Sequence, residues 1–184
     1  ITLVFGTEKR GIDIPHVMPN FETNIDNIFI AGELGGMGLI RNAIEQGKQA
    51  MTSIIKSKQT LKDNYIAVMV VGAGPAGIAA SLTAMENELS FVTVEQDTLG
   101  GTVAHFPRGK VVMTAPVNLP IIGKINFKET TKEKLLELWQ GVVKQTGLII
   151  NFKERVEQIE VAEHGFKVMT NKNEYLSHSI LLAI

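Results

Sequence analysis

Gly72, Gly74 and Gly77 end the apolar run Val68-Met69-Val70-Val71, and the helix-forming stretch Ile78-Ala79-Ala80-Ser81-Leu82 follows them. A turn of this spacing bends sharply at the first glycine. It lets a bulky anion reach the backbone at the second and packs helix against strand at the third. The start of the helix adds free N–H groups and the positive end of its dipole, so the chemistry on offer is a pyrophosphate cradle. Pro75 sits in the first helical turn, where its missing N–H costs little, with Ala76 beside it. Glu95 closes the next apolar run, Phe91-Val92-Thr93-Val94, 23 positions beyond Gly72. A carboxylate there accepts both hydroxyls of an adenosine ribose. The competing reading of Glu95 is an ordinary exposed strand-end glutamate.

Two further groups of residues carry polar chemistry. Gln96 opens a long loop to Lys110 that contains Gly100, Gly101 and Thr102, a second glycine site placed to run along an extended dinucleotide. His105 in that loop is either a donor to a ligand or a histidine with structural hydrogen bonds. Upstream, Gly32-Glu33 follows the short apolar run Ile28 to Ala31 and precedes a glycine-rich loop. Ligands of open α/β sheets bind outside the carboxyl ends of strands, so Glu33 either meets a ligand or is a solvated loop carboxylate. Arg41, Asn42 and Ala43 lie near the start of the next helix, where they either stabilise an anionic ring edge or are simply first-turn residues.

The elements that must position these residues are legible from periodicity. Ile40, Ala43, Ile44, Gly47, Met51, Ile54 and Ile55 recur at spacings of three and four and predict an amphipathic helix over 40–56. A polar segment over 57–63 reads as a linker. A helix runs from Pro75 to about Glu88. Thr130-Thr131-Lys132-Glu133 reads as a capping box with Thr130 as N-cap, opening a helix that Gly147 ends and whose apolar face carries Trp139. Leu148 to Phe152 predicts a buried strand. Val156 to Val161, Gly165 to Thr170 and Tyr175 to Ile184 predict a β-meander running into a final strand. The expected fold class is α/β: a Rossmann-like domain with a parallel sheet, flanking helices and a small antiparallel meander.

Composition narrows the function. Of the 184 residues, 45% are apolar and 20% charged, with a net charge of −1, so there is no basic footprint for nucleic acid. The sequence has no cysteine, which removes thiolate metal sites and dithiol exchange from the chemistry of these residues. No run approaches a membrane span and no signal-peptide pattern is present, so a cytoplasmic location is expected. Both ends read as strands already under way, which suggests a piece of a longer protein.

Taken together, the glycine turn, Glu95, Gly100-Gly101-Thr102 and the terminal Leu181-Leu182-Ala183-Ile184 resemble the first part of the FAD domain of thioredoxin-reductase-like pyridine nucleotide–disulfide oxidoreductases. Phe106-Pro107 after the double glycine is most similar to the bacillithiol-disulfide-reductase-like branch. Thr23-Asn24 through Gly32-Glu33 and Arg41-Asn42-Ala43 resembles that family's C-terminal FAD segment, although the family has aspartate where Glu33 stands.

The resemblance implies FAD as cofactor and NAD(P)H as electron donor to an acceptor the residues do not name. It places Gly72, Gly74 and Gly77 at the pyrophosphate, Glu95 at the ribose, and Gly100, Gly101 and Thr102 on the path to the flavin. Gly32 and Glu33 would meet the ribityl chain, with Arg41, Asn42 and Ala43 at the flavin pyrimidine. The implied partners are an NAD(P)-binding domain, which these residues lack, and a second copy in a homodimer. The two FAD segments stand in inverted order: 1–56 is of the C-terminal type and 64–184 of the N-terminal type. Either two tandem modules meet here, or the segments form one permuted domain. An NAD(P)-binding domain or a non-catalytic nucleotide-binding module are the alternatives in function.

Overall fold

Apolar runs bounded by glycine and proline become strands in the computed structural model, which describes residues 2–4, 11–12, 16–32, 40–57, 62–113, 115–126 and 129–184. Upstream of the glycine turn lie β1 (Thr2–Val4), β2 (Gly11–Ile12), β3 (Ile28–Ala31) and α1 (Ile40–Lys56). The turn joins β4 (Ile66–Val71) to α2 (Pro75–Glu86), and Glu95 ends β5 (Phe91–Glu95). A short 3-10 helix (Gly101–His105) and four small strands follow: β6 (Val111–Met113), β7 (Val117–Leu119), β8 (Gly123–Ile125) and β9 (Glu129–Thr131). Then come α3 (Lys132–Thr146), β10 (Asn151–Phe152), β11 (Val156–Ala162), β12 (Gly165–Thr170) and β13 (Glu174–Ala183).

The main sheet has the parallel order β10-β5-β4-β13, and β3 pairs in parallel with β13 on its far side. The register places Ala31 opposite Ala183 and Val71 opposite Leu182, so β3 and β4 end at the same edge of the sheet. β13 serves three partners. Its first half pairs antiparallel with β12, which continues the meander to β11, and its second half lies between β4 and β3. Alternation along β4 sends Val68 and Val70 to the α1–α2 side. Met69 goes to the opposite face, where it packs with Val94, Ile180, Phe166 and Val168.

α2 is buried almost all round, which its alanines permit; the Ser81 hydroxyl donates within the helix to Gly77 O and shares a hydrogen bond with Thr93 of β5, which fastens α2 to the sheet. α1 crosses α2 closely: a Cβ at Gly47 would lie 2.1 Å from the Ala76 carbonyl oxygen. Gly47→Ala is therefore expected to lower stability by about 2 kcal/mol in urea unfolding, against the gain that alanine gives at an unhindered helical position.

Three local expectations are corrected. The N-cap of α3 is Thr131, whose hydroxyl accepts from Lys134 N, because β9 keeps both threonines extended, opposite Val112 and Val111, and the helix starts only at Lys132. The Glu133 carboxylate accepts from Gly109 N instead of closing a capping box onto Thr130. The strand expected over 148–152 shrinks to Asn151–Phe152, since Leu148 and Ile150 turn into the α3 cluster while Ile149 stays 79% exposed. Within the loop over 96–110, Gly100 at φ 104 turns the chain into the 3-10 helix. The proline-containing stretch over 111–120 stays outside the main sheet, as its prolines require.

The described end of the segment joining α1 to β4 is anchored from the sheet. Residues 58–61 lie outside the described set, but Lys62 N donates to His178 Nε2 at 3.0 Å, and the Tyr65 ring lies 5.0 Å from the His178 ring. Burial, and then the nearby His164, hold the proton affinity of the His178 imidazole below its usual range. The folded chain thus binds fewer protons than the unfolded one near this group, and stability is lost as pH falls below the unfolded value of 6.5. We expect the thermal midpoint to drop between pH 6.5 and the carboxylate range. His178→Gln, which keeps an acceptor for Lys62 N and does not titrate, should flatten that dependence.

Among the described residues, no helix is long and apolar enough to cross a membrane, and no group of His, Asp and Glu side chains could hold a metal ion.

Candidate functional site

A cleft of about 350 Å³ opens at the carboxyl ends of β3, β4, β5 and β13. The sheet contributes the residues at or after its strand ends: Gly32 after β3, Gly72 and Gly74 to Ala76 after β4, Glu95 to Asp97 at the end of β5, and Ala183-Ile184 at the end of β13. This is where the strand order reverses direction, the place at which open α/β sheets hold ligands.

The glycines act differently. Gly72 adopts φ +110, and a Cβ there would lie 2.5 Å from the Ala183 carbonyl oxygen. At Gly77 a Cβ would meet the Gly72 carbonyl oxygen at 1.9 Å, so helix and strand touch through bare backbone. Gly74 is the N-cap of α2 and offers no side-chain acceptor, leaving the helix start without a side-chain cap. A Cβ on Gly74 would meet only Gly101 and Gly100 at ordinary contact distance, so its bareness leaves space on the cleft side. Such a backbone cradle with a helix N-terminus fits a pyrophosphate.

Glu95 is 6% exposed, and its carboxylate braces the cleft: Oε2 accepts from Ala73 N at 2.8 Å and Oε1 from Asp97 N at 2.8 Å. Each oxygen keeps a lone pair for a ligand hydroxyl. The second glycine loop is tied to the first by Gly100 N donating to Ala73 O, and Gly101 (φ +56) approaches so closely that a Cβ would lie 3.1 Å from Gly74 Cα.

The sequence candidates meet here to a large extent. Gly72, Gly74, Pro75, Ala76, Glu95, Gln96, Gly101, Thr102, Gly32 and Ala43 line the cleft. Gly77 and Gly100 stand behind that lining as packing residues. Arg41 and Asn42 lie in the first turn of α1, off the lining, and Arg41 is exposed. Glu33 lies outside the described residues.

Sequence reasoning did not name as site residues Ile40, Val103, Phe106 and Val112, which form an apolar end to the cleft, nor Asp97, Ala183 and Ile184; Phe106, Ala183 and Ile184 entered only as residues that carry the family resemblance. It also missed Gln46, whose Oε1 accepts from Gly32 N at 2.9 Å and so pins the end of β3 to α1. Nothing in the spacing of Gln46 signals this role. His105 lines the cleft, and its Nε2 lies 3.2 Å from Asp97 Oδ2. Asp97 also pairs with Lys153, and the hydrogen bond from that ammonium holds its carboxyl below the usual carboxylate range.

A parallel sheet with a glycine turn, a carboxylate ending the next strand and a cleft across the strand ends defines a fold of the Rossmann type. The model of the pyridine nucleotide-disulphide oxidoreductase family matches residues 69–184, and the chain belongs to that family. It is 26% identical over 129 residues to the ferredoxin–NADP reductase of Streptococcus pyogenes, a match covering 67% of this chain. The match spans about a third, 36%, of that relative's length. Among solved structures, the bacillithiol disulfide reductase from Bacillus cereus superposes with a TM-score of 0.59 at 19% identity, over 64% of this chain and 39% of that one. The bacillithiol disulfide reductase from Staphylococcus aureus gives 0.56 at 17% identity, over 64% and 38%. These two likenesses bear out the Rossmann-like fold that the motifs imply.

Proposed function

We propose that this chain is the FAD-binding part of a flavoprotein oxidoreductase that passes electrons from NAD(P)H to an acceptor. In this reading the segment over 1–56 completes the domain over 64–184 in permuted order. The observation that carries it is the parallel pairing of β3 with β13, which brings Gly32 and Ala43 to the same cleft as the glycine turn and Glu95. A nicotinamide-binding domain has no use for that upstream segment.

FAD, when bound, supplies a ring that accepts hydride and hands electrons on. The chain's part is to bind and orient. The backbone at Gly72, Gly74 and Ala76 holds the pyrophosphate, Glu95 accepts from the ribose, and Gly101 and Thr102 line the path onward. Gly32, with Glu33 after it, meets the ribityl chain, and the first turn of α1 from Ile40 to Ala43 faces the ring. The apolar end at Val103, Phe106 and Val112 excludes water from it. An NAD(P)-binding domain elsewhere in the protein or assembly delivers the hydride, and a homodimer in the cytoplasm completes the proposal.

The test is the visible spectrum of the purified chain after incubation with FAD and removal of the excess. A retained flavin spectrum that dithionite bleaches is the expected result, and a colourless protein refutes the reading. Bleaching by NADH or NADPH without an added domain would show that hydride delivery needs no second module.

A further inference from the structure

Asp97 ties together three elements at one end of the cleft. It lies in the loop after β5, and its own N–H donates to Glu95 Oε1 at 2.8 Å, which sets it next to the carboxylate assigned to the ribose. One carboxylate oxygen meets His105 Nε2, at the end of the 3-10 helix, at 3.2 Å. The other takes a hydrogen bond from the Lys153 ammonium. Lys153 stands in the turn between β10 and β11 at φ 56, a left-handed conformation that lysine rarely adopts. Next to it, Glu154 N donates to the Glu95 carbonyl oxygen at 2.9 Å. That turn is itself held rigidly: the buried Glu154 carboxylate accepts from Thr170, Tyr175 and Asn173.

Asp97 and His105 both line the cleft, so their contact links its β5 wall to its 3-10 helix wall. From these positions we infer that Asp97, held by Lys153, is a clasp across the adenosine end of the cleft, and that it governs how fast a bound dinucleotide leaves. The inference rests on the reading of the cleft as a dinucleotide site. A ligand laid from the glycine turn along Glu95 passes beneath the Asp97–His105 bridge, and its release requires the bridge to part. Lys153 does not line the cleft, so its influence is that of a positioning residue acting through Asp97. All three side chains are partly solvent-exposed, which limits the effect to the range of surface ion pairs and makes it sensitive to salt.

The experiment measures FAD dissociation from the loaded 184-residue chain, with released flavin captured by excess competing apoflavoprotein. Asp97→Asn is expected to raise the dissociation rate about fivefold, and Lys153→Gln about threefold, with Lys153→Arg restoring the original rate. In the Asp97→Asn background, Lys153→Gln should add nothing. The thermal midpoint without FAD should stay unchanged in each variant, which a merely structural role for Lys153 would not allow. FAD bound by all variants with one common dissociation rate would overturn the clasp and leave the cleft assignment standing. Failure of the unmodified chain to bind FAD would overturn the cleft assignment and the clasp with it.

Discussion

Gly77→Ala is expected to abolish FAD binding and to lower stability by about 3 kcal/mol, although it adds a single methyl group. The added Cβ would lie 1.9 Å from the Gly72 carbonyl oxygen and 3.3 Å from the Ala183 Cβ. Neither the Gly72 carbonyl nor the strand behind it can yield without moving the turn, because Gly72 N is bonded to Val94 O at 2.8 Å. Helix α2 must therefore lift from β4, and its N-terminus leaves the cleft. The control is Gly141→Ala in α3, where a Cβ meets nothing within 4 Å. There the substitution removes only glycine's excess backbone freedom and should stabilise the chain by about 0.5–1 kcal/mol. Urea unfolding of the pair separates close approach from helix propensity, and equal effects at the two positions would refute the packing argument.

Glu95→Ala carries the second large effect. It leaves Ala73 N without its acceptor in a buried place, and frees Asp97 N beside it. One unpaired buried N–H costs about 1–3 kcal/mol, and both the glycine turn and the Asp97 loop lose their brace. FAD affinity is expected to fall by about a hundredfold, read by flavin fluorescence titration, through lost ribose hydrogen bonds and lost preorganisation together. Glu95→Gln keeps one acceptor oxygen and should recover part of the stability while recovering little affinity. Affinity unchanged in Glu95→Ala would remove the ribose role.

The parts of this molecule that were legible in the sequence are those written in neighbouring residues. The order β4, glycine turn, α2, β5 and Glu95 is carried by local spacing, and α1 by a three-and-four repeat that holds over its whole length from Ile40 to Lys56. The meander was legible because turn residues separate its strands, and the family because the motifs resemble it. What stayed hidden depends on distant partners. Thr130 matches an N-cap by type and spacing, yet the small separate sheet continues through Thr131, so the helix starts one residue later and Thr131 is the cap. Leu148-Ile149-Ile150 has the composition of a strand, but α3 takes Leu148 and Ile150 and leaves no ladder there.

In the cleft, the glycines and Glu95 announce themselves, whereas Asp97, Lys153 and His105 become a cluster only when β10 pairs with β5 and the 3-10 helix folds back. Gln46 is an ordinary polar helix residue until Gly32 N is placed against it.

In the proposed function the upstream segment and the glycine turn build one FAD site. Amide hydrogen exchange of the whole chain with and without FAD tests it most directly. FAD is expected to slow exchange together at Gly72 to Ala76, at Gly32 and in the first turn of α1 around Ala43. Protection confined to the glycine turn and the β5 end, with β3 and α1 unchanged, would contradict it.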